Sequence, residues 1–125
     1  MATTESKVMT LTGDVKTGMT ALAGGTVPSA VANTLGAINV VSTVATDGDS
    51  VILPAGMPQG SLVFVFNQDA AQDVHVWPNT GATVMGGTAT TGDIAIGQTQ
   101  GAVFVQVGTD GLTWLGIYGA VFAPV

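Results

Sequence analysis

The chain has 125 residues, of which 46% are hydrophobic and 8% are charged, and its net charge is −6 at pH 7. This length is typical of a single domain with one core, and the lack of cysteine excludes disulfides and thiolate metal sites. The polar start of the chain predicts no signal peptide, and no run reaches the ~18 apolar residues of a membrane helix.

The low charge has two consequences for partners. A typical soluble domain has about 25% charged residues, and this chain also has a mean hydropathy of +0.52. Because a 12.4 kDa protein exposes much of its surface, we expect another chain to cover part of it. Lys7 and Lys16 are the only basic residues, so binding to nucleic acid or to an anionic membrane is not expected.

Residues 1–35 are the least regular part of the sequence. Apolar residues recur there at the three- and four-residue spacing of an amphipathic helix or short coiled coil: Val8, Leu11, Val15, Met19 and Leu22. Interior glycines oppose that interpretation, since each costs on the order of 1 kcal/mol relative to alanine in a helix. The sequence therefore predicts an extended arm over 1–35, with one short strand near Val8–Leu11, that becomes ordered only against a partner. Residues 28–36 also fit one or two helical turns.

Residues 36–125 show the pattern of a β domain. Runs with two-residue alternation end in Gly, Pro, Asn or Asp about every eight to twelve residues. Eight strands are predicted, at 38–46, 51–53, 61–67, 73–77, 83–85, 93–96, 102–107 and 112–118. This spacing is typical of an antiparallel β-sandwich, a jelly roll or a small barrel. The apolar tail, 119–125, is expected to dock on its own sheet or on a neighbouring subunit.

The strand at 61–67 is the most hydrophobic and is predicted to be central, because both of its faces are apolar. The large side chains are expected to form the core: Leu62, Phe64, Phe66, Phe104 and Trp114.

The sequence contains few of the residues that catalysis requires. His75 is the single histidine and lies on a strand flanked by valines, which favours a structural position over a catalytic base. The aspartates of the body lie in or beside turns, where they hydrogen-bond to their own backbone. We therefore expect no enzymatic activity, no catalytic residue and no cofactor.

The sequence contains candidates for two other kinds of site, a metal site and a sugar-binding site. Asp47 and Asp49 are hard ligands close together and form a calcium candidate, but they lack the third acidic ligand and distal Glu of a calcium loop. A zinc site would need His75 from three chains on a threefold axis. Trp77, Trp114 and Tyr118 are aromatic platforms on which a sugar could stack, although such residues more often belong to the core.

Several of these segments together resemble a small β module of tailed-bacteriophage virion proteins, found in head decoration (cement) proteins and in fibre or spike components. The resemblance covers about residues 36–118. It rests on Ile38–Val44, Gly48–Pro54, Gly60, Val63–Asn67, Val76–Pro78, Gly81–Ala82, Gly86–Gly87, Phe104 and Trp114.

The resemblance implies a homotrimer on the outside of a phage head that binds the major capsid protein and stabilises its lattice. Such proteins often contact the shell through an N-terminal arm, which places Lys7, Val8, Leu11 and Lys16 as candidate contacts. The protein would be made in the host cytoplasm and act on the outer capsid surface. The alternative that the resemblance leaves open is a receptor- or glycan-binding module of a phage fibre.

Overall fold

A computed structural model describes residues 14–23 and 34–118. Nine short strands form in this part of the chain, and no helix does. The strands are β1 (Val15–Thr20), β2 (Ile38–Thr43), β3 (Ser50–Ile52), β4 (Leu62–Asn67), β5 (Val74–Trp77), β6 (Thr83–Val84), β7 (Ile94–Ile96), β8 (Gly101–Gln106) and β9 (Thr113–Tyr118). The prediction of an all-β domain is confirmed.

The strands form two mixed sheets. The larger has the order β1-β2-β4-β8-β9-β6 and the smaller has the order β3-β5-β7. From β2 to β8 the chain alternates between them, so each connection crosses from one sheet to the other. β2 and β4 run parallel in the larger sheet, and β3 and β5 run parallel in the smaller sheet, whereas β5 and β7 run antiparallel.

The predicted antiparallel arrangement is wrong. Of the seven strand pairings in the described residues, four are parallel: β1·β2, β2·β4, β3·β5 and β6·β9. The short, turn-rich connections suggested hairpins, in which consecutive strands pair antiparallel. Most of these connections instead join strands of different sheets. The residues of a turn do not indicate whether the next strand joins the same sheet or the other one.

The strands lie close to where the alternation places them. Each of the eight predicted strands is present, and the largest difference is at β2, which ends at Thr43 instead of Thr46. β1 was not predicted, because Val15–Thr20 fell within the expected arm. It pairs with β2 at the edge of the larger sheet, so this part of the arm belongs to the β domain. The predicted strand at Val8–Leu11 and the tail at 119–125 lie outside the described residues.

A single core takes side chains from both sheets. The larger sheet contributes Val41, Val63, Val65, Phe104 and Trp114, and the smaller contributes Val51, Val74, Val76 and Ile96. Two of the large residues predicted for the core, Phe104 and Trp114, are thus buried in it.

The other three predicted core residues all lie on the opposite face of β4. Phe66 is 39% exposed, and Leu62 and Phe64 are only half-buried, so none belongs to the core. Their neighbours Val63 and Val65 point inward instead. The prediction failed because both faces of this strand are apolar, and a period of two identifies two faces without saying which is inside.

Candidate functional site

The outer face of the larger sheet carries many apolar side chains that are exposed or half-buried. Across β2, β4, β8 and β9 it presents nine partly or largely exposed apolar side chains: Ile38, Val40, Leu62, Phe64, Phe66, Val103, Val105, Leu115 and Ile117. We call this set the outer apolar face. None of the nine belongs to the buried core.

The strand register arranges the outer apolar face in continuous rows. One row runs Ile38, Phe64, Val103 and Ile117, since each pairs with the next across a strand boundary. A second row runs Leu62, Val105 and Leu115. Neighbours in a row are about 5 Å apart, so the apolar surface is unbroken across four strands.

Phe66 shows how closely this surface is packed. It pairs with Gly101 on β8, where a Cβ atom would lie only 2.9 Å from the ring carbon Cδ1. The ring therefore covers the glycine backbone. A side chain at position 101 would have to displace the ring.

Of the four candidate contacts predicted for the arm, one lies in the described residues. Lys7, Val8 and Leu11 lie outside the described residues. Lys16 lies in β1, where its Nζ donates a hydrogen bond to the carbonyl oxygen of Thr34 at 2.8 Å. This bond holds the start of the larger sheet to the segment that precedes β2, a structural role that the sequence did not suggest.

His75 contacts residues that sequence reasoning did not associate with it. Its Nδ1 is hydrogen-bonded to Oδ2 of Asp93, and both side chains are partly exposed. Ser50 is the register partner of His75 on the adjacent strand. Ser, His and Asp are the residue types of a hydrolytic triad, but Ser50 is only 1% exposed, so a substrate cannot reach its hydroxyl without rearrangement. The pairings of β5 with β3 and with β7 create this grouping, and the sequence alone does not reveal them.

The calcium candidate lies in the turn before β3. The Oδ2 atom of Asp49 accepts a hydrogen bond from the backbone N–H of Thr46 at 3.2 Å, and Asp49 is buried. Asp47 is exposed. Within the described residues no group of three or more His, Cys, Asp and Glu is placed to hold a metal ion. The carboxylate of Asp49 instead stabilises its own turn.

The aromatic residues considered for stacking are separated by the fold. Trp114 is fully buried, and its Nε1 donates to Oδ1 of Asn79 at 2.8 Å, so it cannot stack on a ligand. Trp77 is half-buried on the smaller sheet. The side chain of Tyr118 lies outside the described part of the structure.

A cavity of about 360 Å³ opens beside the start of the larger sheet. Its walls are mainly apolar and include Leu35, Pro54, Met57 and Leu62, with Asp14 at the polar side. Among the described residues no cluster of polar groups lines it, so the cavity has no set of groups that would bind a polar ligand or react with one.

Comparison with known proteins adds no family assignment: no protein-family model and no curated protein matches this chain. In residues 14–23 and 34–118 there is also no helix that would span a bilayer.

Proposed function

We propose that this chain is a structural virion protein, a capsid decoration (cement) protein that binds the outside of a phage head as a trimer. It would stabilise the lattice of the major capsid protein and carry out no reaction. The single observation that most supports this role is the outer apolar face, because a protein with so little charge and so broad an apolar surface needs a protein partner.

The two sheets are proposed to form an open sandwich rather than a closed jelly roll. Both contribute to one core, while β1 and β6 are the edges of the larger sheet. The segments that carry the resemblance include β2, β3 and β4 and the buried Phe104 and Trp114, and their inward-facing side chains are scaffold positions. Contacts with a shell would therefore come from outward-facing surfaces, such as the outer apolar face, and from the N-terminal arm.

Such a protein would act by thermodynamic linkage. Binding the assembled shell but not its dissociated subunits stabilises the shell by RT ln(1 + [L]/Kd) per site, about 2.7 kcal/mol at a hundredfold excess over Kd. Three linked copies would raise avidity without stronger individual contacts.

Co-sedimentation with phage heads that lack the protein tests this proposal. The full chain should bind in saturable, stoichiometric amounts, and a variant lacking residues 1–13 should bind at least tenfold more weakly. This truncation leaves β1 intact, whereas removal of residues 1–20 would also delete an edge strand. A K7A variant is the control, because it measures how much of the loss of affinity is due to the charge of Lys7.

Failure of the full chain to bind the heads would refute the cement function. Unchanged binding of the truncated chain would refute the role of the arm.

A receptor- or glycan-binding module of a fibre is the second candidate. Trp77, the half-buried indole, is the residue that supports it. A glycan array should then show hits that the W77A variant loses. An array without hits would count against this alternative.

A further inference from the structure

We propose that Met85 is a site of oxidation by hydroperoxides, and that its sulfur covers the open edge of β9 until it is oxidised. Strand edges with unpaired N–H and C=O groups pair readily with strands of other chains, so proteins cover or blunt them. In this protein part of the cover is a thioether, which a peroxide changes chemically and a backbone partner would not be.

The edge of β9 that faces β6 is only partly paired. β6 pairs with the first two residues of β9, Thr113 and Trp114. β9 continues to Tyr118, and in the described part of the chain no strand pairs with this side of its second half. Gly116 lies in that half and is therefore beyond the reach of the β6 backbone.

The side chain of Met85 takes the place of a backbone partner there. The N–H of Met85 donates to the carbonyl oxygen of Trp114 at 2.9 Å and continues the pairing of β6 with β9. The N–H of Gly116 then donates to Sδ of Met85 at 3.2 Å. A thioether is a weak acceptor. The sulfur thus satisfies a donor of the open edge, but through a weaker bond than a carbonyl would form.

The backbone of Met85 has an uncommon conformation at this point. Its φ is 52°, and that of the following Gly86 is 73°. Residues other than glycine rarely have a positive φ, and those that do cluster at functional positions. A conformation that disfavours side chains is therefore present at the residue whose side chain covers the edge.

Met85 is also the most exposed methionine of the described residues. It is 57% exposed, whereas Met19 is buried and Met57 is half-buried against the core. Met1 and Met9 lie outside the described residues. Because a peroxide must touch the sulfur to react with it, we expect Met85 to be oxidised faster than Met19 or Met57.

The reaction transfers one oxygen atom to the sulfur. A lone pair of Sδ attacks one oxygen of hydrogen peroxide, and the O–O bond breaks. The proton on the transferred oxygen passes to the other oxygen, which leaves as water. The sulfur is oxidised by two electrons to a sulfoxide, and the peroxide is reduced.

Oxidation should break the contact with Gly116. At 3.2 Å the nitrogen and the sulfur are already in contact, so no oxygen atom fits between them unless the sulfur moves away. A sulfoxide is also more polar than a thioether, which favours its hydration. We therefore expect the oxidised side chain to turn into solvent and to leave the N–H of Gly116 uncovered.

Peptide mapping by mass spectrometry, after the folded chain is treated with hydrogen peroxide, tests the site of oxidation. Met85 should be converted at least about tenfold faster than Met57, because of its greater exposure. Equal rates at the two residues would overturn the assignment.

Amide hydrogen exchange at Gly116 tests whether the edge is uncovered. Exchange should be at least about fivefold faster in the oxidised protein than in the untreated protein, because the N–H has lost its acceptor. M85L keeps the size of the side chain without the sulfur, so its Gly116 amide should exchange fast before treatment and show no change afterwards. M57L is the matched control and should behave as the wild type in both states.

An unchanged exchange rate of Gly116 after complete oxidation of Met85 would overturn the role of the sulfur as a cover. Slow exchange in M85L, or an effect of peroxide on M85L, would also overturn it. If M85L does not fold, as judged by circular dichroism, the comparison of oxidised and untreated wild type still decides. All these measurements use the free chain, so their outcome is independent of the cement function.

Discussion

Asp69 and Asn67 fix the connection between β4 and β5 through hydrogen bonds to the backbone. The buried Asn67 side chain donates to the carbonyl oxygens of Gln72 and Ile96, and thereby links β4 to β7 of the other sheet. The carboxylate of Asp69 accepts hydrogen bonds from the N–H groups of Val44, Ala71 and Gln72. Two polar residues therefore hold together three segments that are distant in sequence.

These hydrogen bonds predict a pH dependence of stability. The N–H of Val44, followed by those of Ala71 and Gln72, lowers the pKa of Asp69 below its ordinary value. Because the pKa is lower in the folded state, the stabilisation is complete above the unfolded value of about 3.9 and is lost as the pH falls through the folded pKa. We expect D69N to unfold more readily than the wild type at pH 7, and the difference to shrink below about pH 4.

Urea titrations at pH 7 and at pH 3 measure this effect. D47N is the matched control, since it makes the same charge change at an exposed turn position. If D69N and D47N show the same stability at pH 7, the proposed role of the Asp69 hydrogen bonds is wrong.

At the scale of the strands, two glycines of the larger sheet show how the inner and outer faces would respond to an added side chain. Gly116 pairs with Phe104 on the inner face, and Gly101 pairs with Phe66 on the outer face. A Cβ atom at either position would lie 2.9 Å from a phenylalanine Cδ1 atom. The local clash is the same, but the buried Phe104 has nowhere to move, whereas the partly exposed Phe66 can turn into solvent.

We therefore predict that G116A lowers the free energy of unfolding by about 1–3 kcal/mol, the usual cost of overpacking a core. G101A should cost less than about 1 kcal/mol in the monomer, as most surface changes do. Chemical denaturation at low protein concentration compares the two. Equal costs would mean that both faces are packed alike, contrary to the assignment of inner and outer faces.

At the scale of the whole molecule, charge and hydrophobicity act in opposite directions on association. Each copy carries a net charge of −6, which repels other copies, while the outer apolar face carries no charge. Raising the salt concentration from about 20 to 300 mM shortens the Debye length from ~20 Å to ~6 Å and screens the repulsion. Association between copies, which the proposed trimer requires, should therefore become tighter with salt.

Sedimentation equilibrium at the two salt concentrations measures the dissociation constant. Association held by salt bridges would instead weaken with salt. A Kd that rises with salt would show that ionic contacts, and not apolar ones, hold the copies together.

Much of the fold follows from local patterns in the sequence. The two-residue alternation places β2 to β9, because side chains on successive strand residues point to opposite faces. The turn residues end each strand, and the low charge predicts a need for a partner. Asp49 and the other turn aspartates are also recognisable from sequence, since Asp side chains bond to nearby backbone groups.

The remaining features depend on long-range pairing, which local patterns do not encode. Which sheet a strand joins determines that β2 and β4 are parallel, that β1 belongs to the domain, and that Ser50 lies beside His75. The same choice turns Val63 and Val65 inward and leaves Phe64 and Phe66 outside. Eight of the nine strands, their two faces and the scarcity of charge can be recognised in the sequence. Which face is buried follows from the tertiary fold, because it depends on the sheet packed against the strand and not on the strand itself.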